Sequence, residues 1–97
     1  MPNDNLTQAQ RDTLAMLRAL LQSHVATGIV IENSVSWRDN GIVYYDAPMG
    51  RTGKITHELH ISPSGMLHDD PQGIGYTIAE FASFLQECVF EGYFPTA

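Results

Sequence analysis

After position 54 the chain has no lysine or arginine, and in its whole length it has one cysteine, Cys88. A lone cysteine excludes an internal disulfide and fits a reducing compartment. No apolar run approaches the roughly 18 residues that a membrane-spanning helix needs. The opening "MPNDNLTQAQ" lacks the basic start and apolar core of a signal peptide. The expectation is a cytoplasmic protein. Charged residues are scarce at 16%, yet 43% of the residues are apolar. That places the chain among folded rather than disordered sequences. Ninety-seven residues make one domain, large enough to bury about 65% of its unfolded surface in one core.

The familiar catalytic and binding signatures are absent as well. No serine lies in a GxSxG elbow, the strained turn that exposes a hydrolase nucleophile. "APMGRTGK" invites comparison with the phosphate-cradling GxxxxGK[ST]. However, Pro48 stands where the first glycine is required, and Ile55 follows Lys54 in place of Ser or Thr. A strand pattern comes next, whereas that loop needs a helix N-terminus aimed at the phosphate. The segment reads instead as a hairpin loop.

What is present is a pattern of helices and strands. "TQAQ" fits a capping box, with Thr7 as N-cap and Gln10 at N3. Leu14, Leu17, Leu21 and Val25 follow at helical spacing, and Gly28 can stop the helix. In "GIVIENSVSW", Ile29, Ile31, Val35 and Trp37 alternate with Val30, Glu32, Ser34 and Ser36, which predicts a strand interrupted at Asn33 by a bulge or bend. "RDNG" supplies a turn and "IVYYD" a second strand. "THELH" predicts a third strand, "SPSG" a type I turn and "MLHDD" a short returning strand. "DPQGIG" is a loop. The last helix opens on two coincident signals. Thr77 and Glu80 form a capping box, and Tyr76 and Phe81 a hydrophobic staple. Ile78, Phe81, Ala82, Leu85, Cys88 and Val89 make its buried stripe. The expected fold is α+β: a four-stranded antiparallel meander flanked by an N-terminal and a C-terminal helix, in the order α-β-β-β-β-α.

Three of the four histidines lie in "ITHELHISPSGMLHDD". "HELH" is not HExxH, whose histidines share a helical face. On a strand, His57 falls with Ile55, Leu59 and Ile61, while His60 falls with Thr56, Glu58 and Ser62 on the opposite face. The two cannot converge on one ion, so no metal and no cofactor is expected. His57 is expected half-buried and His60 solvated. A Glu58–His60 pair could serve acid–base chemistry, which leaves a small metal- or ligand-binding enzyme domain using His57, Glu58 and His60 as the alternative. Cys88 lies on the core stripe of an acidic helix with no basic neighbour, so it is expected to be an inert thiol.

Charge carries the main functional expectation. Residues 1–54 hold five acids and five bases; residues 55–97 hold six acids and no base. The whole net charge of −6 therefore belongs to the C-terminal part. Such a field repels nucleic acid and anionic membrane and attracts basic surfaces. In the last helix, Glu80, Phe84, Glu87 and Glu91 recur along one face, away from the buried stripe. Phe90 also points away from that stripe, Tyr93 and Phe94 follow in the tail, and Asp69 and Asp70 could extend the face. Solubility alone would account for such charge. The functional reading is a partner-binding face: rings supply affinity, and carboxylates supply on-rate and selectivity. In size, acidity and architecture the chain resembles phage-encoded inhibitors of bacterial defence, such as anti-CRISPR proteins, and immunity proteins that neutralise toxins. The resemblance is one of type and composition, so it transfers no functional residue. It implies a non-enzymatic monomer or homodimer that occupies the nucleic-acid-binding surface of a nuclease or CRISPR surveillance complex. An acidic secretion chaperone, which would be dimeric, belongs to the same class.

Overall fold

The computed structural model describes residues 6–38, 40–49, 53–70 and 72–91, the side chains of Phe90 and Glu91 excepted. The elements are α1 (Gln8–Ser23), β1 (Ser36–Trp37), β2 (Ile42–Met49), β3 (Gly53–Ile61), β4 (Leu67–His68) and α2 (Ile78–Glu91). The strands form one antiparallel sheet in the order β1-β2-β3-β4. This is the expected α+β meander with a helix at each end.

Both capping boxes form. Thr7 Oγ1 accepts from the Gln10 amide at 3.0 Å, and Gln10 Oε1 accepts from the Thr7 amide at 2.8 Å. Gln10 also does something no capping pattern announces. Its Nε2 donates to the Ile61 carbonyl at 2.8 Å in a buried setting. Thr13 Oγ1 donates to the Gly65 carbonyl at 2.7 Å, and Thr7 Oγ1 to the Pro63 carbonyl at 2.6 Å. One face of α1 is thereby tied to the β3–β4 turn through three backbone carbonyls. Gly65 adopts φ +89°, and a Cβ there would lie 2.9 Å from Thr13 Oγ1. Only glycine allows both that backbone and that approach.

α1 ends earlier than its apolar spacing suggests. It stops at Ser23, with His24 as C-cap, so Val25 lies beyond the helix. The amides of His24 and Val25 turn to the carbonyls of Leu21 and Gln22, three residues back. The hydroxyls of Ser23 and Thr27 take the carbonyls of Leu20 and His24. Side-chain hydroxyls competing for backbone carbonyls end helices in this way. Gly28, at φ +82°, then reverses the chain.

The segment from Ile29 to Val35 is not the strand that its alternation predicts. Only Ser36 and Trp37 enter the ladder with β2, although the Ile31 amide also donates to the Asp46 carbonyl at 2.8 Å. Ile29 and Val30 are both buried, which a half-exposed strand does not allow. Asn33 stands at φ +64°, and the Ser34 amide bonds to the Ile31 carbonyl, so residues 31–34 form a turn. The bend foreseen at Asn33 is part of this turn, and strand pairing starts only at Ser36. "APMGRTGK" departs in the other direction. Ala47–Met49 pair with Gly53–Ile55, so only residues 50–52 lie between the strands of a long hairpin.

Odd-numbered residues of the hairpin face the core: Val43 and Tyr45 from β2, Leu59 and Ile61 from β3. With Leu17 and Leu21 of α1, Ile29, Val30, Leu67, and Phe81 and Leu85 of α2, they form one cluster. Each fully buried side chain of this kind contributes about 1.5–3 kcal/mol. Both helices therefore lie against one face of the sheet. The other face carries Tyr44, with Arg38 5.6 Å above its ring, and the Lys54–Asp46 ion pair at 3.2 Å.

β4 is the short element, and this shapes the site. It pairs only with His60 and Ile61. Asp70 ends it: Asp70 Oδ1 accepts from the Gln72 amide at 3.0 Å, and its carbonyl accepts from Gly73 at 2.8 Å. This Asx turn carries the chain away from β3. Among the described residues, β3 from Gly53 to Leu59 has a strand partner only on the β2 side.

Gln10 provides a test of the tie between α1 and the sheet. Gln10→Glu keeps the acceptor of the capping box but loses the donor to Ile61, so a buried carbonyl then faces a carboxylate. The expected loss is about 1–3 kcal/mol in denaturant unfolding at neutral pH. Loss of less than about 0.5 kcal/mol would show that the Gln10–Ile61 bond contributes little.

Candidate functional site

The chain leaves β4, turns at Asp70 and comes back beside it. The Leu67 amide donates to the Tyr76 carbonyl, and the Tyr76 amide to the Leu67 carbonyl, each at 2.8 Å. α2 starts immediately after. The Glu80 amide donates to Thr77 Oγ1 at 3.1 Å, and the Thr77 amide to Glu80 Oε1 at 2.8 Å. The Tyr76 and Phe81 rings meet at 6.0 Å, completing the staple. These contacts set the first turns of α2 opposite the unpaired stretch of β3 and leave a groove of about 600 Å³ between them.

One wall of this groove is Thr56–Leu59 of β3; the other is Glu80, Phe81 and Phe84 of α2. Tyr45, Asp69 and Tyr76 complete it. Among the described residues, no lysine or arginine contributes to the lining. Phe84 is 54% exposed and stacks on Phe81 at 6.3 Å. His57 stacks on Tyr45 at 4.9 Å. A second hollow of about 300 Å³ shares Tyr45, His57 and Phe84 and runs on past Ala47, Pro48, Met49 and Ile55. Met49 and Ile55 are exposed, so an apolar trough extends along the hairpin beyond the core.

Of the residues singled out for partner binding, Glu80, Phe84 and Asp69 meet in this groove. Glu80 is exposed but also caps α2, so it serves structure as well as charge. Glu87 is exposed on the same helix. Asp70 is exposed but does not line the groove; its carboxylate closes the turn that ends β4. Phe90 and Glu91 belong to α2, with side chains outside the described set, and Tyr93 lies outside the described residues.

The histidines separate as the strand period predicts. His57 faces the core side against Tyr45; His60, on the opposite face, bonds Glu58 Oε2 at 2.5 Å. His60 differs from the solvated residue expected, since its side chain is only 16% exposed. His68 Nδ1 pairs with the Gly73 carbonyl at 2.9 Å. Among the described residues, no three His, Cys, Asp or Glu side chains are placed to share a metal ion. Burial pushes the Cys88 thiol up, with a smaller push from Glu87, which disfavours the thiolate. No described helix is long and apolar enough to cross a membrane. No family model matches the chain, and neither a curated protein nor a solved structure matches it.

Tyr45 and Tyr76 are groove residues that the sequence pattern did not single out for binding. Burial raises both phenols well above the ordinary tyrosine value, and at Tyr76 the hydroxyl also donates to Asp69 Oδ1 at 2.5 Å. The same bond places the Asp69 carboxylate at the groove's end. A phenol whose folded pKa is raised contributes stability that is intact below the unfolded value of about 10 and is lost as pH rises through the folded value. Tyr76→Phe removes that contribution. Its unfolding free energy should fall less steeply than that of the parent above pH about 10. Identical alkaline profiles would mean that the Tyr76–Asp69 pair does not couple to folding.

Proposed function

We propose that this protein is a small, non-enzymatic, protein-binding inhibitor that docks its acidic, ring-lined groove on a basic surface of a partner. The observation that carries the reading is the composition of the groove. Asp69 and Glu80 stand beside the half-exposed Phe84 and the Tyr76 ring, with no lysine or arginine among the described residues of the lining. Lys54, the nearest base in sequence, is held by Asp46 on the other face of the sheet. Carboxylates left without a counter-charge attract arginine and lysine over distances of about a Debye length. Aromatic faces then favour the same cations at contact. A protein surface evolved to bind nucleic acid presents that chemistry, which makes a nuclease or a CRISPR surveillance complex a fitting target.

Phe84→Ala and Glu87→Lys test this reading. Neither residue caps a helix or lies in the buried core. The protein should capture a nucleic-acid-binding partner from host lysate at low salt and release it at high salt. Capture should displace nucleic acid from that partner. Loss of the Phe84 anchor should weaken binding by about 2 kcal/mol, roughly 30-fold in Kd, and Glu87→Lys should slow association. Capture that neither substitution nor salt affects would remove the groove as the binding face.

A further inference from the structure

β3 is a nine-residue strand, and its neighbour β4 covers two of those residues. The direction of its free groups follows from one bond. The Ile61 amide donates to the Gly41 carbonyl, on the β2 side. The β2–β3 register runs without a bulge from Ile42↔His60 to Met49↔Gly53. In an antiparallel ladder, successive residues point their amide and carbonyl to opposite sides. Ile55, His57 and Leu59 therefore point toward β2, as Ile61 does. Lys54, Thr56 and Glu58 present three amides and three carbonyls to the open side. That side opens on the groove, which Thr56 and Glu58 line.

Among the described residues, most of the usual devices that blunt an exposed edge are missing here; the charged side chains of Lys54 and Glu58 are the exception. Natural edges are protected by proline, by a bulge, by inward charges or by a covering segment. Between Gly53 and Ile61 there is no proline, and the register has no bulge. The Lys54 side chain is drawn to Asp46, and Thr56 Oγ1 donates to the same carboxylate at 2.6 Å. Both side chains thus lie on the face away from the groove and leave the backbone clear. Ile55 and Thr56 are β-branched and hold the strand extended.

We infer that the open edge of β3 from Lys54 to Glu58 takes an extended basic segment of a partner protein as an added strand, with a cationic side chain entering the groove beside Asp69, Glu80, Tyr76 and Phe84. This rests on the proposed docking function and specifies its binding mode. An added strand would run about 4.8 Å from β3, in the row that Leu67 and His68 begin and the Asp70 turn vacates. Side chains of that strand opposite His57 project on the His57 face, toward α2; their neighbours project beside Glu58. Backbone bonds supply affinity without regard to sequence, and the pocket selects the alternate side chains. Charge selects the occupant: Asp69 and Glu80 on one face and Glu58 on the other favour arginine or lysine and oppose acidic segments.

The test uses the whole protein and three short synthetic peptides. The first alternates arginine and valine, the second alternates glutamate and valine, and the third is the first with alternate amides N-methylated. Amide hydrogen exchange is read residue by residue. With the arginine peptide at about ten times its Kd, the Thr56 and Glu58 amides should exchange about tenfold more slowly. The methylated and the acidic peptides should bind at least about tenfold more weakly. Thr56→Pro deletes an outward amide while sparing the β2 ladder, and should weaken the arginine peptide in the same way. If that variant does not fold, the exchange data and the methylated peptide still decide. Binding of the arginine peptide without slowed exchange at Thr56 and Glu58 overturns the added strand but leaves the acidic groove as a docking face. Equal protection by the acidic peptide overturns the basic occupant. Exchange at Thr56 and Glu58 that slows with protein concentration alone assigns the edge to a second copy and overturns the proposal. Failure of every peptide to bind overturns it as well.

Discussion

Two backbone hydrogen bonds between Leu67 and Tyr76 decide the character of this molecule. They return the chain to β4 after the Asp70 turn, and they fix the residue from which α2 departs. Leu67 is fully buried and Tyr76 packs against the core cluster, so the bridge is partly shielded from water, which strengthens its bonds. The Thr77 cap and the Tyr76–Phe81 staple follow within a few residues. The start of α2 is therefore determined by backbone, cap and ring contacts together. Together with Phe81 and Leu85 in the core cluster, the bridge sets where Phe84 and Glu80 stand relative to β3.

The groove follows from a mismatch in length. β3 is long because its hairpin with β2 continues through Ala47–Met49, and β4 is short because Asp70 turns the chain away. The helix that the bridge positions covers the hydrophobic face near Leu59 and Leu85 but leaves the β3 edge open. At that edge, among the described residues, unpaired backbone, the exposed Phe84 ring and the Asp69 and Glu80 carboxylates without a lysine or arginine beside them lie together. A solvated acidic surface would account for the charge alone. It would not call for Phe84 standing half in water beside an open strand, and the proposed docking function draws its support from that combination.

Much of the architecture was legible because it is encoded locally. Thr7 with Gln10, and Thr77 with Glu80, are short-range hydrogen-bonding pairs, and the pairs alone locate both helix starts. The period of "THELH" separated His57 from His60 correctly, since alternation along a strand needs no tertiary information. The failures share a cause. Ile29–Val35 alternates as a strand does, but Ile29 and Val30 are both drawn inside against α1 and α2, and tertiary burial overrode the pattern. In "APMGRTGK" the two glycines suggested a loop, whereas ladder pairing carried the strands to within three residues of each other. The groove was half legible. Asp69, Glu80 and Phe84 were marked by charge and helical spacing. Tyr45 and Tyr76 were not, because a ring in a core stripe and a ring lining a groove look alike in sequence. The open edge was invisible, since it depends on which backbone groups the Asp70 turn leaves unpaired.

Native-state hydrogen exchange on the free, dilute protein tests the central claim most directly. The account predicts that the amides of Leu67 and Tyr76 exchange as slowly as those of the core strands. The Thr56 and Glu58 amides should exchange at nearly open-chain rates beside slow neighbours at His57 and Leu59. Rapid exchange at Leu67 and Tyr76, or strong protection of Thr56 and Glu58 in the free monomer, would contradict it.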